Sequence, residues 1–122
     1  MSHDDPTVTD PTLYTVIFEN ERVRVLQYRD EPGDRTHVHR HPDSVMVTLS
    51  AFRRRVTAGD RRVDVELRAG EARWVGAQQH LGENIGDSGS HCVFIELKEP
   101  QPAYAPTVDA PLGPSVSQPD GL

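Results

Sequence analysis

The segment His37-Val38-His39-Arg40-His41-Pro42-Asp43 carries three histidines at alternate positions and a carboxylate two residues beyond. Side chains alternate across an extended strand, so His37, His39 and His41 would share one face, and two neighbours there are close enough to chelate one ion. Imidazole is the commonest protein ligand for transition metals and also the side chain that titrates near neutral pH. The same residues therefore suit a metal centre, a pH-responsive cluster, or simply a solvated strand face. A second segment, residues 70–84, adds His80 after a glycine turn, with Asn84 four residues later and on the same face if the strand is regular.

Together the two segments resemble the paired motifs of the cupin superfamily. In the first motif a glycine and five residues precede His-x-His, as Gly33 precedes His39-Arg40-His41. In the second, Gly70, His80 and Asn84 match the glycine, histidine and asparagine. The resemblance spans roughly residues 14–98 and is closest to small single-domain bacterial cupins. It implies an all-β, cupin-type jelly-roll barrel, a double-stranded β-helix, with one divalent transition metal held by His39, His41 and His80. Fe(II) is favoured among Fe, Zn, Mn, Ni and Co. The chain departs from the pattern in three places: the glutamate slot falls on Val45 or Met46, Gly76 and Gln78 replace a proline and a glycine, and Phe52 or Arg53 stands where the first motif closes on glycine.

A second register competes. His37 and His39, followed by three residues and Asp43, would form a two-histidine, one-carboxylate set with His80, the arrangement of non-haem Fe(II) oxygenases. Gly33 is then too near the first histidine and Pro42 bends the chain beside Asp43, so the His39/His41 register is favoured. Under it, His37 is a candidate catalytic residue that orients substrate or shuttles a proton, or else a hydrogen-bonded rim histidine. Asn84 is either a donor facing the cavity or a turn residue near Gly86. Arg54 and Tyr28 are candidates for holding a substrate carboxylate if their strands turn them inward. Three neutral imidazoles leave an ion its double charge and open positions, which suits polarising a bound oxygen, acidifying a water, or O2 chemistry with Fe(II).

The elements that must position these residues read as β-structure. Apolar residues alternate with period two, and turn residues recur every 8 to 12 positions. Strands are expected at 14–19, 22–29, 36–41, 44–50, 53–57, 62–68, 72–75, 81–85 and 91–98. In 62–68 the alternation is clean, with Val63, Val65 and Leu67 against Arg62, Asp64, Glu66 and Arg68. Glycine turns at 32–34, 58–60, 69–71 and 86–89 separate the strands. Nine short strands with tight turns suit a jelly roll, which hides sheet edges by folding two sheets together.

At 122 residues the chain supports one domain. Its expected organisation is a flexible N-terminus over 1–12, the barrel over 13–98 and a Pro-rich tail over 99–122, disordered or extended, with Tyr104 and Leu112 as its large apolar anchors. The formal charge of −6 and the lack of a basic stripe argue against nucleic acid. Arg53, Arg54 and Arg55 read as a solvated strand whose charges alternate between faces. No apolar run approaches the ~20 residues of a membrane span, and the acidic start MSHDDPTVTDP lacks the features of a secretion signal, so a cytoplasmic protein is expected. Cys92 has no second cysteine to pair with. It reads as a small buried hydrophobe, and Trp74 and Phe94 as core or subunit contact. A homodimer is expected, as the resemblance implies, with strand 14–19 crossing to a neighbour's sheet edge. The leading functional expectation is a metal-dependent enzyme of oxygenase, lyase or isomerase type, dioxygenase favoured, acting on a small organic molecule. The alternatives are a non-catalytic ligand-binding or sensor module with a structural metal, and a metal-free interaction domain.

Overall fold

The computed structural model describes residues 3–98 and 112–114. Among them one helical turn, α1 (Pro6–Thr9), precedes nine strands: β1 (Tyr14–Glu19), β2 (Val23–Asp30), β3 (His39–His41), β4 (Ser44–Thr48), β5 (Phe52–Ala58), β6 (Arg61–Leu67), β7 (Ala72–Val75), β8 (Gln78–Asn84) and β9 (Ser90–Leu97). Sequence alternation becomes alternation of burial. In β9, Ser90, Cys92, Phe94 and Glu96 are buried and the residues between them are half-exposed. In β6, Val63, Val65 and Leu67 face inward against exposed charged neighbours.

All pairings are antiparallel and form two sheets, ordered β1-β2-β9-β4-β7 and β3-β8-β5-β6. Leu26, Tyr28, Met46, Phe52, Leu67, Val75, Cys92 and Phe94 fill the space between them. Burying such side chains contributes roughly 1.5–3 kcal/mol each before conformational entropy is subtracted. The expected jelly roll is the observed architecture, and Phe94 and Cys92 are core residues, whereas Trp74 is exposed on the edge strand β7. Gly59 and Gly70 adopt φ of 62° and 85° in the β5–β6 and β6–β7 turns, where a side chain would be strained.

Two boundaries differ from expectation in ways that matter for the site. The strand expected from residue 36 starts only at His39. Upstream, the Asp10 carboxylate accepts the His37 backbone N–H (3.1 Å) and contacts its ring Nδ1 (2.9 Å). That captures residues 37 and 38 outside the ladder and leaves the His37 side chain 79% exposed. Conversely, β8 starts at Gln78, three residues before the expected 81, because Gln78, Gln79 and His80 pair with His41, Arg40 and His39.

Asp10 is placed by α1, an ordered feature that the polar lead-in does not announce. Asp5 caps this turn by accepting the Thr7 N–H at 2.8 Å, and Pro6 occupies its first position, where a missing N–H costs nothing. Of the Pro-rich tail, only Leu112–Pro114 is described; the expectations for Tyr104 and the rest of 99–122 lie outside the described residues.

Candidate metal centre

His39 sits directly opposite His80 in the β3/β8 ladder, where facing side chains are about 5 Å apart at Cβ. His41 lies two residues along β3 and therefore on the same inward face. The three rings close on one another, with centroids 4.8 Å (His39–His41), 5.0 Å (His39–His80) and 5.3 Å (His41–His80) apart. One ligand nitrogen from each lies within 4.8 Å of the others. His39 and His41 are each only 1% exposed.

Each ring is oriented through Nδ1. His39 Nδ1 donates to the His37 carbonyl (2.9 Å), His41 Nδ1 to Glu96 Oε2 (3.2 Å) and His80 Nδ1 to Gln78 Oε1 (2.6 Å). A proton on every Nδ1 leaves every Nε2 a bare acceptor, the state in which imidazole binds a metal. His41 Nε2 is buried without a hydrogen-bond partner among the described residues, a condition it shares with Ser44 Oγ. An orphaned buried acceptor is costly, and a cation between the rings removes the cost. Burial, and next the nearby His41, pushes His39 down to about 4, and the same causes push His80 well below its usual range. Both rings stay neutral at pH 7, as ligation requires. The donor set thus fits a divalent transition metal.

The structure brings together His39, His41 and His80 and not the competing set. His37 points to solvent against Asp10, and Asp43 Oδ1 accepts the Ala77 N–H at 2.8 Å. Asn84 is committed elsewhere: its amide donates to Asp30 Oδ1 and the Ser88 carbonyl, both at 2.9 Å, and its oxygen accepts the Gly86 N–H. Of the two residues at the glutamate slot, Met46 is buried and Val45 half-buried, and neither is a carboxylate.

Sequence reading missed several neighbours. Glu96 is 2% exposed, and Arg24 holds its Oε1 at 2.9 Å while Oε2 faces His41. Simple alternation along β9 from Phe94 would have placed it inward. Tyr14 approaches His39 Nε2 with its hydroxyl (3.5 Å), and its buried ring lies 5.4 Å from the His39 centroid and 5.8 Å from that of His41. Phe94 stacks on His41 at 4.9 Å. Gln78 accepts a second hydrogen bond at 2.6 Å from the Gly113 N–H, so the described part of the tail reaches the site. The reading of Arg54 as part of a solvated strand is corrected: its side chain is 12% exposed and inside the barrel, because β5 turns Phe52, Arg54 and Val56 to one face.

A cavity of about 40 Å³ adjoins the rings, lined by His39, His80, Tyr14, Arg54, Gly82 and Pro114 among others, with apolar walls. A cupin domain from Bordetella pertussis Tohama I is similar at 30% identity, covering 71% of this chain and 93% of that one with a TM-score of 0.67. The chain belongs to the cupins. A double-stranded β-helix protein from Klebsiella pneumoniae shares the fold at 18% identity, 96% and 90% coverage and TM-score 0.58. So does the polyketide cyclase RemF from Streptomyces resistomycificus, at 15% identity, 73% and 66% coverage and TM-score 0.55. No protein-family model and no curated protein matches the chain. Among the described residues of this cupin no helix is long and apolar enough to cross a membrane.

Proposed function

We propose that this cupin is a metal-dependent enzyme acting on a small organic molecule, with His39, His41 and His80 as ligands to one divalent ion, Fe(II) favoured. The observation that carries this reading is the orphaned Nε2 of His41 inside a buried trio whose Nδ1 atoms are all engaged. A divalent ion there supplies Lewis acidity, and Fe(II) adds O2 chemistry, in line with an oxygenase, lyase or isomerase. The chain's own residues fix the rings, and the apolar walls exclude bulk water. Tyr14 brings a hydroxyl to the cavity, and burial keeps it a protonated donor by raising it well above the usual phenol range. The adjoining cavity favours ligand binding over a purely structural ion, which would need no open space beside it.

Elemental analysis of protein purified without a nickel column tests the reading, and close to one Fe, Mn, Ni, Co or Zn per chain is expected. A metal-free protein whose stability is unaffected by added metal would sink it. Oxygen uptake after Fe(II) loading, once a substrate is in hand, separates an oxygenase from a lyase. We further propose a second copy of the chain as partner: β1 is an edge strand carrying exposed Val16 (41%), Ile17 (52%) and Phe18 (54%). Sedimentation at a monomer's mass would contradict this. A cytoplasmic location completes the proposal.

A further inference from the structure

β8 turns His80, Gly82 and Asn84 inward, one after another along a single face. The middle position has no side chain, and a guanidinium fills its place. A Cβ built on Gly82 would stand 2.5 Å from Nη2 of Arg54, 3.4 Å from Cζ and 3.5 Å from Nε. Arg54 reaches this slot from the adjacent strand β5, where it pairs with Asn84. It lines the cavity together with His39 and His80.

Among the described residues the guanidinium is only partly used. Its hydrogen bonds to Asp30 Oδ2 (2.5 Å) and Ser90 Oγ (3.2 Å) both run through Nη1. Asp30 in turn spreads its charge over four donors, for it also accepts from the Tyr28 hydroxyl (2.5 Å), Asn84 Nδ2 (2.9 Å) and the Ser90 N–H (3.0 Å). A guanidinium presents five N–H groups in a fixed fork, and the edge carrying Nη2 is the one that Gly82 admits to the interior. Tyr28 holds the plane from below, with Cζ 4.8 Å from its ring centroid. The cavity is thus lined by two of the three candidate ligands, His39 and His80, by a fixed cation, and by apolar side chains such as Met46, Phe52 and Val75.

We propose that the ligand of this cavity is a short-chain carboxylate, whose carboxyl group is recognised by the Nη2 edge of Arg54 in the slot left by Gly82. The inference deepens the proposed function and rests on its reading of the cavity as the reaction site. The volume of about 40 Å³ is roughly three times the ~10–15 Å³ that one water needs, so the ligand is small, of acetate to butyrate size. A charge-assisted hydrogen bond contributes about 1.5–3 kcal/mol, or about 10–100-fold in affinity, over a neutral analogue.

Titration of the full chain with propionate and with propionamide, followed by NMR chemical shifts, tests this, with the metal content of each sample counted. Wild type is expected to prefer propionate by at least about tenfold. Arg54→Lys keeps a cation for Asp30 but lacks the fork, and Gly82→Ala pushes the guanidinium out of its slot. Each is expected to cut the preference by about tenfold while metal content stays at the wild-type level. Equal binding of the two probes by wild type, or an undiminished preference in both folded variants, would overturn the proposal. Absence of retained metal with the propionate preference intact would sink the metal centre and leave the carboxylate site standing; retained metal without the preference would sink this inference alone.

Discussion

The barrel buries two polar clusters, one around Asp30 and one around His41, and the protein completes them to different degrees. Asp30 accepts from Tyr28, Arg54, Asn84 and Ser90, so both of its oxygens are engaged. The histidine cluster is engaged at its three Nδ1 atoms and, through the Tyr14 hydroxyl at 3.5 Å, at His39 Nε2, whereas His41 Nε2 is left without a partner among the described residues. Buried polar groups are normally paired by the chain itself. A cluster that the chain completes holds the fold together, while one left open on a common point is built for something that arrives from outside.

The largest break in this contrast is expected from His80→Ala. It removes one ligand of three and should abolish metal retention, taking the metal count per chain from near one to near zero by elemental analysis, with the β-type circular dichroism unchanged. Asp30→Asn should do the opposite. It leaves Arg54 without its carboxylate and turns an amide toward the Asn84 and Ser90 donors, a loss of about 3–5 kcal/mol for breaking a buried pair. The urea midpoint should fall sharply while folded molecules keep their metal. Loss of metal from both variants in equal measure would erase the distinction.

Acid separates the clusters by pH window. In metal-free protein, burial lowers His39 to about 4 from an ordinary 6.5, so between these values the unfolded chain binds a proton that the folded chain does not. Stability therefore falls as pH drops through that window, by about 3 kcal/mol if His39 acts alone, and His80 shifts in the same direction. Asp30 is also lowered, although burial alone would raise it: the Arg54 charge and the hydrogen bonds it accepts outweigh that effect. Its contribution is present above the ordinary carboxylate value of 3.8 and is lost only below it. Denaturation of metal-free protein against pH should thus show a decline beginning near 6.5 and a second below 4, and His39→Gln should remove part of the first alone.

The contrast also explains what could be read from the sequence. Strands β1 and β7 match the expected ranges residue for residue, since apolar alternation and glycine turns are local signals. The ligands were legible because metal binding fixes residue type and spacing, as in His39-x-His41. The start of β8 was not legible: Gln78 and Gln79 carry no apolar alternation, and their strand character comes from pairing with β3. His37 looked equivalent to His39 and His41 until Asp10, from a distant turn, captured it. Arg54 misled for a related reason, because three arginines in a row say nothing of which one meets a buried Asp30 and a glycine across the sheet.

The finest test concerns the carboxylate that the family's glutamate slot lacks here. Val45 or Met46 stands at that slot, and the buried carboxylate beside the cluster is Glu96, which accepts the Nδ1 proton of His41 instead of reaching an ion itself. A carboxylate at this position raises the basicity of the ring and fixes its tautomer, and removing such a partner typically costs 10–100-fold in metal affinity. Glu96→Gln preserves shape and an acceptor for His41 while discarding the charge. Arg24 keeps Asp5 at 2.8 Å as its second carboxylate, so the fold should survive. Metal affinity measured by competition with a chelator is expected to fall by about tenfold, the lower end of that range, because the amide oxygen still orients the ring. Unchanged affinity would mean that Glu96 serves Arg24 alone. Glu96→Asp, which retains the charge on a shorter arm, should recover part of the loss if charge matters more than reach.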